Sequence, residues 1–238
     1  RDLIVTGVQT CALPICCSST PALAAEATLQ QVIATLEQGY ASLQDLQASF
    51  SQTTALAGFP KPQKGHGELA LRRPPQGTAQ FRFDYVVPKQ SIISNGKQVW
   101  FYQPENKQVL VSSLEGIMKG GNSIGMAYLT GLGNVSKDFN AAFAKPNRDK
   151  QGNYLLELTP RKPTPVLSRL RLTIHEEAVN ALLNDGQTKE SFPVVASTVV
   201  DGSGTETRIS YSRIRTNSGL SAAKFTFKVP QGVEIIKP

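Results

Sequence analysis

From Glu26 to about Gln44, Leu29, Val32, Ile33, Leu36, Tyr40 and Leu43 recur every three or four positions, with Gln and Glu between them. That spacing lays them along one face of an amphipathic helix. The period then shortens. Leu46, Ala48 and Phe50 alternate with Gln47, Ser49 and Ser51, so a strand is expected to begin there. Gly58 to Gly67, rich in Pro, Lys and Gly, reads as a loop.

From Glu68 onward, strand follows strand. Ala79, Phe81, Phe83 and Tyr85 fall on one face, and Gln80, Arg82 and Asp84 on the other. Ser91–Ser94 and Lys97–Tyr102 flank Asn95-Gly96, a dipeptide that tolerates the positive φ of a type I′ hairpin turn. Pro104-Glu105-Asn106 turns the chain into Gln108–Ser112. Alternation resumes in Tyr154–Leu158, Arg169–Ile174, Val194–Val200, Thr205–Tyr211 and Lys224–Val229, and Asp201-Gly202-Ser203-Gly204 marks another turn. Strands wet on one face and apolar on the other belong to an antiparallel sheet, and one this wide must curl or close. Ser113–Ala144, glycine-rich, is expected to form short helices, and Glu176–Asn184 a further helix or loop. No internal repeat or domain linker interrupts the series. Trp100 and Phe101 point to opposite faces, and the pattern leaves open which of them looks inward.

The 238 residues carry a net charge of +7. The basic residues are scattered, with no run longer than Arg72-Arg73 and no Arg/aromatic array of the kind that stacks bases, so nucleic acid is not expected as a partner. No segment reaches the run of about 18 apolar residues that a spanning helix needs.

All three cysteines, Cys11, Cys16 and Cys17, lie in the opening RDLIVTGVQTCALPICCSST. VTGVQTCALPI reads as a sequencing-adapter oligonucleotide translated in frame, so residues 1–15 are expected to be an artefact. Residues 16–24, ending in Ala22-Leu23-Ala24, have the small-x-small close of a signal peptide. Residues 25–238 then form one exported, cysteine-free domain, with no disulfide to form.

Chemistry-bearing motifs are scarce. His66 and His175 are far apart and lack cysteine partners, and His175-Glu176-Glu177 is not the HExxH zinc pattern, so no metal site is expected. There is no GxSxG elbow and no phosphate-cradling GxxxxGK[ST] loop, and Gly131-Leu132-Gly133 lacks the third glycine of a dinucleotide fingerprint. The residues therefore describe a curved antiparallel sheet without catalytic apparatus or cofactor. Its apolar face either packs solid or encloses a ligand.

GHGELALRRPPQGTAQFRFDYVVPKQSIISNGKQVWFYQPENKQVLV, Gly65 to Val111, resembles the outer-membrane lipoprotein carrier (LolA) family. The shared pattern is a G-x-G strand, an Arg-Pro turn, alternating aromatics, an Asn-Gly hairpin and W-x-Y-x-P. AAKFTFKVPQGVEII, Ala222 to Ile236, is similar to the family's closing F-x-F-x-x-P-x-G-V, and LQASFSQ, Leu46 to Gln52, to its first strand. The resemblance implies an incomplete antiparallel β-barrel whose apolar concave face is covered by short lid helices. It implies a monomeric, non-enzymatic carrier in the Gram-negative periplasm. Such a carrier accepts triacylated lipoproteins from an inner-membrane ABC-type release complex and passes them to an outer-membrane acceptor.

By the same resemblance, Phe81, Phe83 and Tyr85 line the lipid-binding cavity, and Ile117, Met118, Ile124, Met126 and Leu129 form the inner face of the lid. Arg73, before Pro74, is the latch whose guanidinium bonds lid carbonyls and holds the empty cavity shut. From the residues alone, the aromatics read as a solid core, the commoner fate of aromatics in a strand, and Arg73 as a surface arginine at a strand end. PPQGTAQ lengthens the family's usual link after the arginine, and Ser113–Ala144 follows the family only loosely. The same-fold outer-membrane acceptor and a lipid-sensing or general lipid-shuttling half-barrel remain as alternatives.

Overall fold

Thr28 starts the first helix. Its Oγ1 accepts from the Gln31 amide at 3.3 Å and the Gln31 side chain accepts from the Thr28 amide at 2.8 Å, a capping box that satisfies two otherwise orphaned donors. The computed structural model describes residues 26–119, 135–162 and 167–237. Helix α1 is Leu29–Ser42. The strands are β1 Asp45–Ala55, β2 Gln63–Arg72, β3 Gln80–Val87, β4 Gln90–Ser94, β5 Gln98–Gln103, β6 Gln108–Ser113, β7 Phe139–Arg148, β8 Tyr154–Pro160, β9 Arg169–Ile174, β10 Val194–Val200, β11 Glu206–Thr216 and β12 Glu234–Ile236. Short helices α2 (Leu114–Lys119) and α3 (Val135–Asp138) fall between β6 and β7, and α4 (Glu176–Asp185) between β9 and β10.

The strands form one sheet in the order β12-β6-β5-β4-β3-β2-β1-β11-β10-β9-β8-β7, antiparallel throughout except for the β12–β6 pair. β12 and β7 are its two edges, so the barrel is incomplete. Four pairings contain register breaks: β1–β11, β9–β10, β2–β3 and β7–β8. A bulge bends its strand and adds twist, which lets a sheet this wide curl. In the β1–β11 break Arg213 takes φ +52° and donates to Ser49 Oγ at 2.7 Å.

The main core fills the concave side. Val32, Leu36 and Tyr40 of α1 and the C-cap Leu43 pack against Leu46, Phe50, Leu69, Leu71, Leu156, Leu158, Leu170 and Leu172 of the sheet. A smaller cluster, Ile93, Trp100 and Val109, lies on the convex side, where Phe227, Val229 and Val233 cover it. That cover belongs to the C-terminal segment, which Asp45 anchors. The Asp45 carboxylate accepts from the Ser218, Gly219 and Leu220 amides at 2.8–3.1 Å and from Ser218 Oγ at 2.9 Å.

Three expectations are corrected. Residues 224–229 are not a strand: a 3₁₀ turn at Ala222–Phe225 leads into an extended segment, and the closing strand is β12. Their alternation reflects packing on the convex face, with Phe225 buried and Phe227 against Tyr102 at 5.2 Å between ring centroids. The segment expected to be helical to Ala144 becomes strand at Phe139, because Phe139, Ala141 and Phe143 have a second strand, β8, to pair with. The expected loop ends early too, since β2 begins at Gln63 opposite Thr54.

Candidate functional site: the concave face

Strand β3 supplies the middle of this face. Phe81 and Phe83 are buried and Tyr85 half-buried, all in or against the main core. Phe50 of β1 meets Phe83 at 5.7 Å and Tyr85 at 4.8 Å, both edge to face. Phe50 and Tyr85 sit on strands separated by β2, and both pair with its Gly67. Glycine leaves room for the two rings to meet over the backbone. A Cβ there would lie 2.1 Å from the Asp84 carbonyl oxygen. The Tyr85 hydroxyl donates to Gln52 Oε1 at 2.9 Å, and burial pushes its pKa up, so it stays neutral.

The face continues sideways to an edge. Phe83 pairs with Ile92, Ile92 with Phe101, Phe101 with Leu110 and Leu110 with Ile236, so five apolar side chains on β3, β4, β5, β6 and β12 share one side. Phe101 therefore looks inward and Trp100 outward. Exposure rises along this row, from 3% at Phe83 through half-buried Ile92 and Phe101 to 40% at Leu110 and 38% at Ile236. The inner end is packed core, and the outer end is apolar surface in contact with water.

Helix α1 roofs the buried end and is tied down at both of its ends. At its C-terminus, Arg73 Nη1 donates to the Tyr40 and Leu43 carbonyl oxygens, the latter at 3.2 Å. The Arg73 amide donates to the Gln44 carbonyl at 2.7 Å. A cation here satisfies helix-end carbonyls and faces the negative end of the helix dipole, which α1 does not neutralise itself because its last turn has no basic residue. At its N-terminus, Asn147 Nδ2 donates to Glu26 Oε1 at 2.5 Å and the Ala27 amide to the Tyr154 hydroxyl at 3.2 Å. Arg148 lies over the Tyr154 ring at 3.9 Å and pairs with Glu176 at 2.6 Å. Midway, Glu37 accepts from the Ser136 amide and hydroxyl of α3 at 3.0 and 2.8 Å.

The structure thus gathers Phe81, Phe83 and Tyr85 in or against the core cluster that α1 also enters, and places Arg73 at that helix's C-terminus. Arg72 points elsewhere, donating to Gln80 Oε1 at 3.1 Å. Of the expected lid residues, Ile117 and Met118 fall in α2, their side chains outside the described residues, and Ile124, Met126 and Leu129 lie outside them altogether. Sequence reasoning missed the outward row from Ile92 to Ile236. The alternation of each strand carried the signal, but which strands are neighbours did not show.

Comparison with known proteins finds relatives along most of the chain. The family model described as "Outer membrane lipoprotein carrier protein LolA" matches residues 41–228. The outer-membrane lipoprotein carrier protein of Azotobacter vinelandii is 29% identical over 219 residues, covering 92% of each chain. Its counterpart in Pseudomonas aeruginosa PAO1 is 29% identical over 198 residues, covering 82% of each. Among solved structures, a LolA-superfamily protein of Nitrosomonas europaea covers 85% of this chain and 99% of its own, at 14% identity and a TM-score of 0.38. With all of β1 to β11, aromatic β3 included, inside the matched span, this chain belongs to the outer-membrane lipoprotein carrier protein (LolA) family.

Proposed function

We propose that this protein is a periplasmic carrier that takes up the acyl chains of lipoproteins released from the inner membrane and delivers them to the outer membrane. The observation that carries the reading is the apolar row that runs from beneath α1 to exposed Leu110 and Ile236. An acyl chain gains about 0.8 kcal/mol per buried CH₂, so a triacylated lipoprotein leaves a membrane only for a comparable apolar surface. The concave face offers one, while the C-terminal segment covers the apolar convex side of β4, β5 and β6.

In this reading Phe81, Phe83 and Tyr85 form the floor that acyl chains reach when α1 lifts. Arg73 is the latch, and it acts through α1: its carbonyl acceptors are Tyr40 and the C-cap Leu43 of the first helix, where the lid segment, residues 117–129, is expected. Ile117, Met118, Ile124, Met126 and Leu129 complete the lid. The donor is an inner-membrane ABC-type release complex, whose ATP hydrolysis supplies the energy of extraction, and the recipient is an outer-membrane acceptor. The protein works by binding and release, with no covalent step.

Native mass spectrometry of the protein purified from periplasm, after export on an intact signal peptide, tests this. A mass increment equal to a triacylated lipoprotein is expected. Phospholipid or glycolipid as the sole bound species moves the function to a general lipid shuttle. A mass that never shifts when lipoprotein is supplied means that the aromatics pack a solid core, and the carrier reading falls.

A further inference from the structure

A second constellation lies beside the C-terminal half of α1, where Glu190 and Pro193 approach Gly39. His175 is the N-cap residue of α4, yet its side chain makes no capping bond. Its Nδ1 instead meets Glu190 Oε1 at 2.7 Å. Glu177, in the first turn of α4, turns its carboxylate to the same point, and one donor atom from each of the three residues lies within 4.8 Å of the other two. From the geometry we infer that His175, Glu177 and Glu190 form a binding site for a divalent transition-metal ion of the zinc class.

Backbone structure explains the convergence. The His175 amide donates to the Pro193 carbonyl at 2.8 Å, which brings the return loop from α4 beside the helix start. Thr188 Oγ1 accepts from the Glu190 amide at 3.3 Å and holds the loop in shape. The donors are one imidazole and two carboxylates, a set that zinc accepts, and three protein ligands leave the fourth tetrahedral position to water. Charge points the same way. Two carboxylates face one imidazole, and among the described residues neither Glu177 nor Glu190 pairs with a lysine or arginine. Lys189 is committed to Asp185 at 2.8 Å and Arg148 to Glu176 and Glu26. The His175 and Glu190 side chains are 34% and 36% exposed, so an ion has a path in.

The site also has a mechanical position. The Glu190 carbonyl oxygen and the Pro193 ring press on Gly39 of α1, so an ion tying Glu190 to α4 stiffens the surface on which α1 rests. The inference does not depend on the carrier reading.

Isothermal titration of Zn²⁺ alone into the full chain, with Cys11, Cys16 and Cys17 replaced by serine so that no thiol competes, tests the site. One equivalent is expected to bind in the micromolar range and to raise the melting temperature as ligand linkage requires. Glu177→Gln, at an exposed helix position, should weaken binding about tenfold or more while leaving the zinc-free melting temperature unchanged. His175→Ala should abolish binding. Absence of saturable heat, or binding unchanged by His175→Ala and Glu177→Gln together, overturns the inference.

Discussion

Arg73 and Asp45 stand at either side of the joint between α1 and β1, and each does there what no local residue could. Arg73 supplies a cation to a helix end that has none of its own. Charged hydrogen bonds of this kind contribute about 1.5–3 kcal/mol each. Leucine at this position keeps the bulk and donates nothing. With two such bonds lost, Arg73→Leu is therefore expected to lower the melting temperature by about 6 °C or more, at about 2–4 °C per kcal/mol for a domain of this size. If the bond must break for a ligand to enter, its loss also tightens acyl-chain binding, about tenfold for each 1.4 kcal/mol released. Lower stability with weaker binding in a fluorescent fatty-acid titration would mean that Arg73 shapes the site and does not latch it.

Burial by itself would raise the Asp45 pKa, but the Ser218, Leu220 and Gly219 amides and the Ser218 hydroxyl outweigh it and hold the carboxyl below its usual value. Because the folded pKa is depressed, the stabilisation is full above the unfolded value of about 3.9 and is lost as pH falls through the folded pKa. Asp45→Asn, with one acceptor oxygen in place of two, should cost about 1–3 kcal/mol at pH 7. Its deficit relative to the native protein should shrink as pH drops below about 4. Denaturant melts at pH 7, 5, 4 and 3 check this, and a deficit constant with pH contradicts the assignment.

At the scale of elements, α1 shows a conflict between propensity and packing. Gly39 lies inside the helix, where alanine is preferred by about 1 kcal/mol. A Cβ there would sit 2.7 Å from the Glu190 carbonyl oxygen and 2.9 Å from Pro193 Cδ. Overpacking costs about 1–3 kcal/mol, and the loop that would have to yield is held by backbone bonds, so packing wins. Gly39→Ala should destabilise the protein by up to about 2 kcal/mol in urea, against the propensity scale. A stabilised variant would show that α1 stands off its seat. The glycine therefore marks a close approach between helix and loop that the helical pattern alone does not reveal.

For the molecule as a whole, the unclosed sheet leaves apolar surface at one margin of its concave face. Leu110→Lys with Ile236→Asp places two opposite charges on directly paired positions that are already about 40% exposed, so the fold should lose less than about 1 kcal/mol. Binding of acylated lipoprotein should fall by about tenfold or more if that margin receives acyl chains, since each charge replaces apolar contact area. Melting temperature and lipoprotein pull-down, measured together, separate the two effects. Unchanged pull-down removes the margin from the binding surface.

How much of this was legible depends on the range of the interactions involved. The period of α1, the hairpin at Asn95-Gly96 and the alternation of Phe81, Phe83 and Tyr85 all rest on contacts within a few residues, so sequence alone determined them. At the hairpin, however, only Gly96, not Asn95, takes the positive φ that a type I′ turn requires of both. That these strands form a curved, half-wet sheet follows from the same alternation. Only the tertiary structure decided that β1 pairs with β11, and that Phe83 shares a row with Ile236. It alone turned residues 224–229 into a convex strap, brought Arg73 to the end of α1 and set Glu190 beside His175. Those partners lie far apart along the chain, and spacing encodes which face a side chain takes but not what faces it.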